Sequence, residues 1–316
     1  MRMRFNTVLL LLLLSGCRGI QIENTKGLIS FQSGNLDIYV VDVNDKITSK
    51  LIVSSSDIGF HSAFWLDAKH LGFLFFYNHV TSKTEYPLGV HDVSKGKVKI
   101  YNSHLLILGI RDATKLSDTS VIVPNTPYVA NVLQLNSLDT MNLVDLHSLH
   151  SKRGLEHLRI SSDKNRLIFA GLDSVKSKFL PLTPTGYVRW GSDTLDDIYV
   201  YDISKKTLTQ LTNTNCCDRD PTWSPDGEHI AFSSNRTGNF EIYVMDKDGK
   251  NVKQLTDNPA EDTDPEYSPD GDRIAFVSRR TGHSQIWLIN ADGTDVQQLT
   301  DLEDGAYGPL SWSPAQ

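Results

Sequence analysis

Cysteine is scarce in this chain of 316 residues, which has only three. One is Cys17, near the N-terminus, and the other two, Cys216 and Cys217, are neighbours. Adjacent cysteines cannot crosslink distant parts of a fold, so the sequence predicts that a hydrophobic core supplies the stability. In an oxidising compartment the adjacent pair could form a strained disulfide, pair with another chain or remain free thiols.

The sequence also lacks an apolar run long enough to cross a membrane, which needs about 20 residues. The run from Val8 to Leu14 is much shorter and follows two arginines, a pattern typical of a signal peptide. The next residues, Leu14-Ser15-Gly16-Cys17, resemble the lipobox of bacterial lipoproteins. We therefore predict that residues 1–16 are removed and that Cys17 is acylated, for example with palmitate. An ordinary signal peptide with an incidental cysteine is the alternative.

The lipobox resemblance implies a membrane anchor of two or three acyl chains, each stabilised by about 0.8 kcal/mol per buried CH₂. Among lipoproteins of Gram-negative bacteria, Asp directly after the cysteine retains the protein in the inner membrane. Here that residue is Arg18, which favours the periplasmic face of the outer membrane. Residues 17–27 would then form the lipidated N-terminus and a short linker.

Basic residues are outnumbered, with 31 Lys and Arg against 38 Asp and Glu. Loss of Arg2 and Arg4 with the signal peptide would bring the charge to about −9. Because phosphate binding needs a basic surface, this composition argues against nucleic acid as a partner. No G-x-S-x-G elbow and no Gly-rich phosphate loop before a helix occurs, so no cofactor and no catalytic residue is predicted.

Internal repeats are what the sequence does have. Pairs of residues recur 44 positions apart in three copies: Leu211-Thr212, Leu255-Thr256 and Leu299-Thr300, and likewise Ile198-Tyr199, Ile242-Tyr243 and Ile286-Trp287. A period in the forties with several short strands per unit is the signature of a propeller blade.

Each unit divides into four strands by local signals. In the copy that begins at Trp223, WS is followed by a Pro-Asp-Gly turn, the apolar strand HIAFSS, a polar turn with Gly, and the alternating strand EIYVMD. A Lys-Asp-Gly-Lys hairpin then leads to KQLT. The unit is predicted to be a four-stranded antiparallel meander.

Weaker copies bring the number of units to six. First strands are predicted around Trp65, Ile110 to Val123, Ile160, Trp223, Tyr267 and Trp312. Third strands, counted independently, begin near Asp37, Gly89, Val132, Ile198, Ile242 and Ile286. The repeated Trp and Tyr of the first strands are expected to pack between blades.

The two ends of the chain complement each other. The last copy stops at SWSPAQ, after a first strand, whereas GLISFQSGNLDIYVVD near the N-terminus aligns with a second and a third strand. We therefore predict an all-β fold, a six-bladed β-propeller of four-stranded antiparallel blades over residues 28–316. Its last blade would be closed jointly by the N- and C-termini.

The repeat D-P-x-W-S-P-D-G-x-x-I-A-F, with its I-Y-V-M-D strand and Q-L-T end, resembles the TolB-type β-propeller family. It is clearest over Asp220 to Thr300 and recognisable at Trp65 to Phe73 and Ile160 to Phe169. The resemblance implies a six-bladed propeller. It does not extend to the α/β domain that precedes the propeller in TolB, so TolB itself is not expected. Members of the family bind other envelope proteins, and related propellers gate peptidases or form the body of lyases.

Loops that enter first strands and turns between second and third strands share one face of such a disc. The charged residues placed there are Asp218, Asp220, Asp262, Asp264, Arg236, Arg279 and Arg280. These acids either form a binding surface or cap turns and pair with nearby arginines. A ligand site is expected at the ring axis, where first strands converge.

An insertion of about 19 residues lengthens the second-to-third-strand turn of the fourth blade, on that same face. It carries Phe179, Tyr187, Arg189 and Trp190, which are residue types enriched at binding hot spots. The loop either binds a partner or folds back onto the rim with its aromatic rings buried.

Eight of the ten histidines lie between His61 and His157. The spacing of His147, His150 and His157 fits no strong metal motif, so no metal ligand is predicted. An enzyme with a metal at the ring axis would require histidine and acidic side chains to meet in one pocket, and histidines scattered on blade edges would exclude it.

The leading hypothesis is a monomeric, lipid-anchored envelope propeller that binds another protein, or peptidoglycan or another glycan, without catalysis. The alternative is a polysaccharide lyase or hydrolase that uses a metal at the ring axis. A structural lipoprotein with two inert faces is a third possibility. Fold alone does not choose between them.

Overall fold

The computed structural model describes residues 27–54, 58–77, 88–101, 114–117, 120–126, 129–134, 140–145, 156–172 and 196–314. All regular secondary structure within these ranges is β-strand. Accordingly, the described part of the chain contains no helix that is long and apolar enough to span a bilayer.

The strands of the described ranges are short, as the repeat predicts. In chain order they are β1 (Leu28–Ser33), β2 (Ile38–Asp42), β3 (Thr48–Ile52), β4 (Ile58–Trp65), β5 (His70–Tyr77), β6 (Leu88–Asp92), β7 (Lys97–Tyr101), β8 (Thr114–Ser117), β9 (Ser120–Thr126), β10 (Val129–Gln134), β11 (Thr140–Asp145), β12 (Glu156–Ile160), β13 (Arg166–Leu172), β14 (Asp196–Asp202), β15 (Thr207–Gln210), β16 (Asp218–Trp223), β17 (His229–Ser234), β18 (Glu241–Asp246), β19 (Lys253–Gln254), β20 (Asp262–Tyr267), β21 (Arg273–Ser278), β22 (Gln285–Asn290), β23 (Gln297–Gln298) and β24 (Ala306–Trp312).

These described strands form six four-stranded sheets. Five are consecutive meanders, β4 to β7, β8 to β11, β12 to β15, β16 to β19 and β20 to β23, and the remaining sheet has the order β24-β1-β2-β3. Every pairing is antiparallel.

One edge strand of each sheet faces a common centre. Strands β4, β8, β12, β16, β20 and β24 contact one another in that order, and β24 also contacts β4. Sheets arranged in this way are the blades of a β-propeller, and the six edge strands are its inner strands.

The predicted joint blade of the two chain ends is confirmed. In the pairing of β24 with β1, Ile29 lies opposite Trp312 and Ser33 opposite Ala306. The Leu28 N–H donates to Ser313 Oγ at 3.0 Å, and the Ser313 N–H donates to the Leu28 carbonyl at 2.8 Å. A non-covalent closure of this kind leaves no unpaired sheet edge between the first and the last blade.

The Pro-Asp-Gly turns form as their chemistry predicts. Asp226 Oδ1 accepts from Ser224 Oγ at 2.5 Å and from the Glu228 N–H at 2.9 Å, while Gly227 has a φ of 71°. Glycine adopts this left-handed conformation without the steric cost that a Cβ would add. The turn therefore fixes how an inner strand returns into the second strand.

Apolar clusters lie between successive blades. The repeated aromatic residues of the inner strands are buried, with exposed fractions of 4% for Trp65 and 7% for Trp223, Tyr267 and Trp312. Trp223 packs in one cluster with Ile168 of the preceding blade and Phe232 of its own. This confirms that the repeated Trp and Tyr are packing residues. Because they occupy the space between blades, the axis is lined by other, polar residues of the inner strands.

Candidate functional site: a charged pocket at the ring axis

Three inner strands carry a bulge at the same position. The pairing register shifts between Glu156 and Arg159 in β12, between Arg219 and Thr222 in β16, and between Thr263 and Glu266 in β20. Within the bulges, His157, Asp220 and Asp264 have φ values of 54°, 55° and 54°. Asp and His are among the few non-glycine residue types that tolerate this left-handed region. The bulges direct the three side chains toward one another at the ring axis.

The three side chains meet although they come from three blades. His157 Nδ1 lies 2.7 Å from Asp220 Oδ1, and the Asp264 backbone N–H donates to Asp220 Oδ2 at 3.4 Å. One imidazole nitrogen and one oxygen from each carboxylate all lie within 4.8 Å of one another. We call His157, Asp220 and Asp264 the axial cluster.

A partly buried guanidinium lies beside the axial cluster. Arg219 Nε is 3.4 Å from Asp220 Oδ2, and the guanidinium carbon is 3.8 Å from the centre of the Phe240 ring. The aromatic face holds the cation in place by a cation–π interaction. Asp220 therefore lies between two positive groups, Arg219 and His157 when protonated.

The two carboxyl groups differ in their proton affinity. Burial alone would raise the pKa of Asp220, but His157 and Arg219 outweigh it and hold that pKa well below its usual range. Burial and the nearby Asp220 charge raise the pKa of Asp264 to about 6. Two carboxyl groups with opposite shifts are a recurring feature of functional sites.

A second polar layer lies two residues further along the same strands. Arg159 Nε is 3.6 Å from Glu266 Oε2, and that oxygen also accepts from Thr222 Oγ1 at 3.2 Å. Like the axial cluster, this layer joins three blades. Its contacts connect β12, β16 and β20 directly beside the cluster and stabilise their relative positions.

The axial cluster lines a pocket of about 490 Å³. Glu261, Arg279 and Tyr307 contribute to its walls, together with Gln32 and Ser33 of the joint blade. The lining is mixed in charge and includes a partly exposed aromatic ring. Polar and charged ligand groups would be recognised here rather than an apolar molecule.

The pocket lies toward one face of the ring. That face carries the beginning of each inner strand and the turn between second and third strands, because Asp218 pairs with Ser234 and Ser234 with Glu241. We call it the loop face. The opposite hairpin face carries the turns between third and fourth strands, such as the one between Asp246 and Lys253.

Two of the predicted acids are buried in ion pairs. Asp218 and Asp262 are fully buried, and each binds an arginine of its own blade. Arg236 Nη2 donates to Asp218 Oδ1 at 2.9 Å, and Arg280 Nη2 donates to Asp262 Oδ2 at 2.7 Å. These contacts match the structural alternative that the sequence left open for the four residues, and a partner-binding role for them stays a prediction.

Arg279 is the predicted arginine that reaches the pocket. Its side chain is 59% exposed, and its Nη1 lies 3.7 Å from Glu261 Oε2. It is therefore accessible to a ligand at the pocket mouth.

The predicted insertion and the lipidation site lie outside the described residues. These are Cys17, Phe179, Tyr187, Arg189 and Trp190. The strands that flank the insertion end at Leu172 and begin at Asp196, which are paired on the loop face.

His157 and Arg219 are site residues that the sequence analysis missed. The repeat register that places Ile160 on Trp223 also places His157 on Asp220, three residues earlier. Extending the comparison to that position would have grouped His157 with Asp220 and Asp264. The spacing of the histidines along the chain gives no signal of this site, because the partners of His157 lie in other blades.

Comparison with known proteins supports the repeat assignment. Residues 186–316 match the family model of the TolB beta propeller domain. No curated protein matches the sequence at a significant level. The repeats within residues 186–316 are therefore TolB-like.

Solved structures resemble the whole propeller. TolB from Acinetobacter baumannii is 18% identical, with a TM-score of 0.66 over 92% of this chain and 68% of that one. The tricorn protease is 18% identical, with a TM-score of 0.60 over 88% of this chain and 27% of that one. Oligogalacturonate lyase in complex with manganese is 14% identical, with a TM-score of 0.54 over 87% and 74%. At these identities the likeness concerns the fold alone.

Proposed function

We propose that this protein is a lipid-anchored, six-bladed propeller of the cell envelope that binds another envelope protein at the mouth of its axial pocket, without catalysis. The observation that carries the proposal is the pocket itself. Its charged side chains come from three blades and are held by bulges and ion pairs before any ligand arrives. Pre-organised charge of this kind favours selective recognition, because little ordering is left to occur on binding.

The lining favours a polypeptide as the ligand. Arg279 and Glu261 offer opposite charges at the mouth, and Tyr307, which is 38% exposed, offers an aromatic surface. Tyr and Arg are enriched among residues that dominate the energy of protein interfaces. A segment that carries both charges and an apolar side chain would fit this lining.

The position of the N-terminus supports an outward orientation of the pocket. Leu28 lies opposite Asp42 in the joint blade, and the Val43 N–H donates to the Gly27 carbonyl at 3.1 Å. Both contacts are on the hairpin face, opposite the pocket. The nine residues from Arg18 to Lys26 span at most about 30 Å, so an anchor at Cys17 would keep this end of the joint blade close to the membrane and leave the loop face at the opposite side of the ring.

The test is photo-crosslinking in living cells followed by mass spectrometry. A photo-reactive residue replaces Tyr307 at the pocket mouth, and a second variant carries it at Trp190 in the insertion. The matched control replaces Asp248, an exposed residue in a turn of the hairpin face. We expect one discrete protein to be captured from position 307 and not from position 248.

The outcomes separate the hypotheses. Capture of the same protein from position 190 would add the insertion to the binding surface. Capture of glycan fragments would replace the protein partner by the cell wall. Equal capture from positions 307 and 248 would refute a binding role of the loop face and leave the ring a structural component.

A second candidate is a polysaccharide lyase or hydrolase, which the contact between His157 and Asp220 favours. A carboxylate that accepts a hydrogen bond from an imidazole orients the ring and raises its basicity, and such a pair can remove a proton from a substrate. An assay for unsaturated products from acidic polysaccharides tests this candidate. Turnover that is lost in His157→Gln would establish an enzyme, and no turnover on any such substrate would remove the candidate.

A further inference from the structure

The axial cluster combines the donor atoms of a metal site. We infer that His157, Asp220 and Asp264 together bind one divalent transition-metal cation, Mn²⁺ or Zn²⁺. The inference holds whether the pocket binds a protein or a substrate, since it depends only on the cluster and on the space around it.

The donor set selects the class of cation. The cluster offers one imidazole nitrogen and two carboxylate oxygens. Mn²⁺ and Zn²⁺ accept such a mixed set of nitrogen and oxygen ligands, whereas Ca²⁺ and Mg²⁺ prefer sites made of oxygen ligands alone. The three donor atoms already lie within 4.8 Å of one another. Bonds of about 2.0–2.2 Å to a central ion keep donor atoms roughly 3–4 Å apart. Small rotations of the side chains are therefore enough to bring them to these distances.

The backbone holds the donors without blocking the ion. Each residue sits in the bulge of a different inner strand, so the three side chains approach from three directions. Beside them, the next inner strand presents Gly308, where an added Cβ would overlap the Asp264 carboxylate. The absence of a side chain at this position leaves room for Asp264, and the pocket of about 490 Å³ leaves room for water ligands.

Arg219 sets the charge balance of the site. With a neutral imidazole, Arg219 and the two carboxylates of the cluster carry one net negative charge, which a divalent ion changes to one net positive charge. Arg219 Nε is 3.4 Å from Asp220 Oδ2, so it competes with a cation for this carboxylate. Replacing Arg219 by Gln is therefore expected to increase the affinity for the metal. Loss of a pocket carboxylate outside the cluster, such as that of Glu261, should change this affinity little.

The experiment measures metal binding to the purified full-length protein after treatment with a chelator. Isothermal titration with MnCl₂ and, separately, with ZnCl₂ is expected to give one site per chain for at least one of the two ions. His157→Gln and Asp264→Asn are expected to weaken it at least ten-fold, because loss of even an outer-shell partner of a metal ligand typically has an effect of about that size. The matched control is Glu261→Gln, which removes a carboxylate from the same pocket and should change the affinity less than about three-fold.

A spectroscopic measurement on the unmodified protein keeps the test independent of how the variants fold. Electron spin-echo measurements on bound Mn²⁺ are expected to show coupling to an imidazole ¹⁴N. Absence of stoichiometric binding of both ions would overturn the inference. So would bound Mn²⁺ without nitrogen coupling, or an equal loss of affinity in Glu261→Gln and in the two ligand variants. None of these readouts involves the envelope partner, so failure here is distinguishable from failure of the crosslinking experiment.

Discussion

Glu241 offers a sharp test of how charge is buried between the third and fourth strands of a blade. Its side chain is 1% exposed at the start of β18. Oε2 accepts from Thr256 Oγ1 at 2.7 Å, and Oε1 accepts from the Asn258 N–H at 3.0 Å. Thr256 Oγ1 in turn accepts from the Ile242 N–H at 2.9 Å. The carboxylate thus ties the chain that leaves the blade after its fourth strand, β19, to the start of its third strand, β18.

The next blade performs the same task with an uncharged residue. Gln285 Oε1 accepts from Thr300 Oγ1 at 2.7 Å and from the Leu302 N–H at 3.1 Å. Its Nε2 donates to the Leu302 carbonyl at 2.8 Å. The replacement Glu241→Gln therefore has a natural precedent 44 residues away. As at Gln285, one amide oxygen can accept from both Thr256 Oγ1 and the Asn258 N–H, while Asn239 Nδ2 keeps its bonds to the Asn258 and Ala260 carbonyls.

The expected magnitudes of the two substitutions differ. Glu241→Ala removes the acceptor of the buried Thr256 hydroxyl and of the Asn258 N–H, and an unsatisfied buried donor costs about 1–3 kcal/mol. With the cavity left behind, we expect a loss of about 3 kcal/mol in the free energy of unfolding. Glu241→Gln at pH 7 should change it by less than about 1 kcal/mol.

The pH dependence has a defined sign. Burial raises the pKa of Glu241 above its ordinary value of 4.5, and hydrogen bonds from Asn258 and Thr256 oppose this only in part. The folded state therefore holds the proton more tightly than the unfolded state. This contribution to stability is fully present below pH 4.5 and is lost as the pH rises through the folded-state pKa. Because Gln does not titrate, Glu241→Gln should gain stability relative to the unmodified protein over that window.

Urea unfolding followed by tryptophan fluorescence at pH 4, 5.5 and 7.5 tests these values. The converse variant Gln285→Glu serves as the control and should lose stability relative to the unmodified protein as the pH rises. A difference between Glu241→Gln and the unmodified protein that stays constant with pH would refute the reasoning on burial. Equal stability of the Ala and Gln variants would refute the reasoning on hydrogen bonds.

Three further predictions test the packing. Arg236→Met should lower the free energy of unfolding in urea by about 3–5 kcal/mol, because the buried Asp218 carboxylate then has no cationic partner. Arg279→Met, at an exposed arginine, should lower it by less than about 1 kcal/mol. Similar losses in the two variants would contradict a structural role of the buried pair. Deleting residues 306–316 should abolish the cooperative thermal transition seen by circular dichroism, since it removes the inner strand of the joint blade, and an unchanged transition would show that the ring closes without it. Gly89→Ala should lower the free energy of unfolding by about 1–3 kcal/mol, because its Cβ would overlap the buried ring of Phe73; full stability would show that the ring can move aside.

Local signals were sufficient to predict the strands of the repeat. Pro-Asp-Gly turns, alternating strands and Asp-Gly hairpins depend on a few neighbouring residues. The fragments at the two ends of the chain also matched each other as parts of one blade, and the pairing of Ile29 with Trp312 follows that match. Burial of Trp223 and Tyr267 was predictable for the same reason, since repetition at equivalent positions indicates a shared packing role.

The roles of the charged residues were not predictable in this way. Asp218 and Asp220 are two residues apart in the sequence, yet Asp218 binds Arg236 of its own blade while Asp220 contacts His157 of the preceding one. The difference arises from a bulge that re-aims Asp220, and residue types alone do not show in which direction such a side chain points.

The sequence by itself determined the period, the strand order within a blade and the complementarity of the chain ends, because these depend on backbone preferences and on alternation along short segments. Only the tertiary structure decided which polar residues share the axis. His157 and Asp264 lie two blades apart and meet only because successive blades turn their inner strands toward one centre. The proximity of such residues is a property of the closed ring, since no single blade contains the cluster.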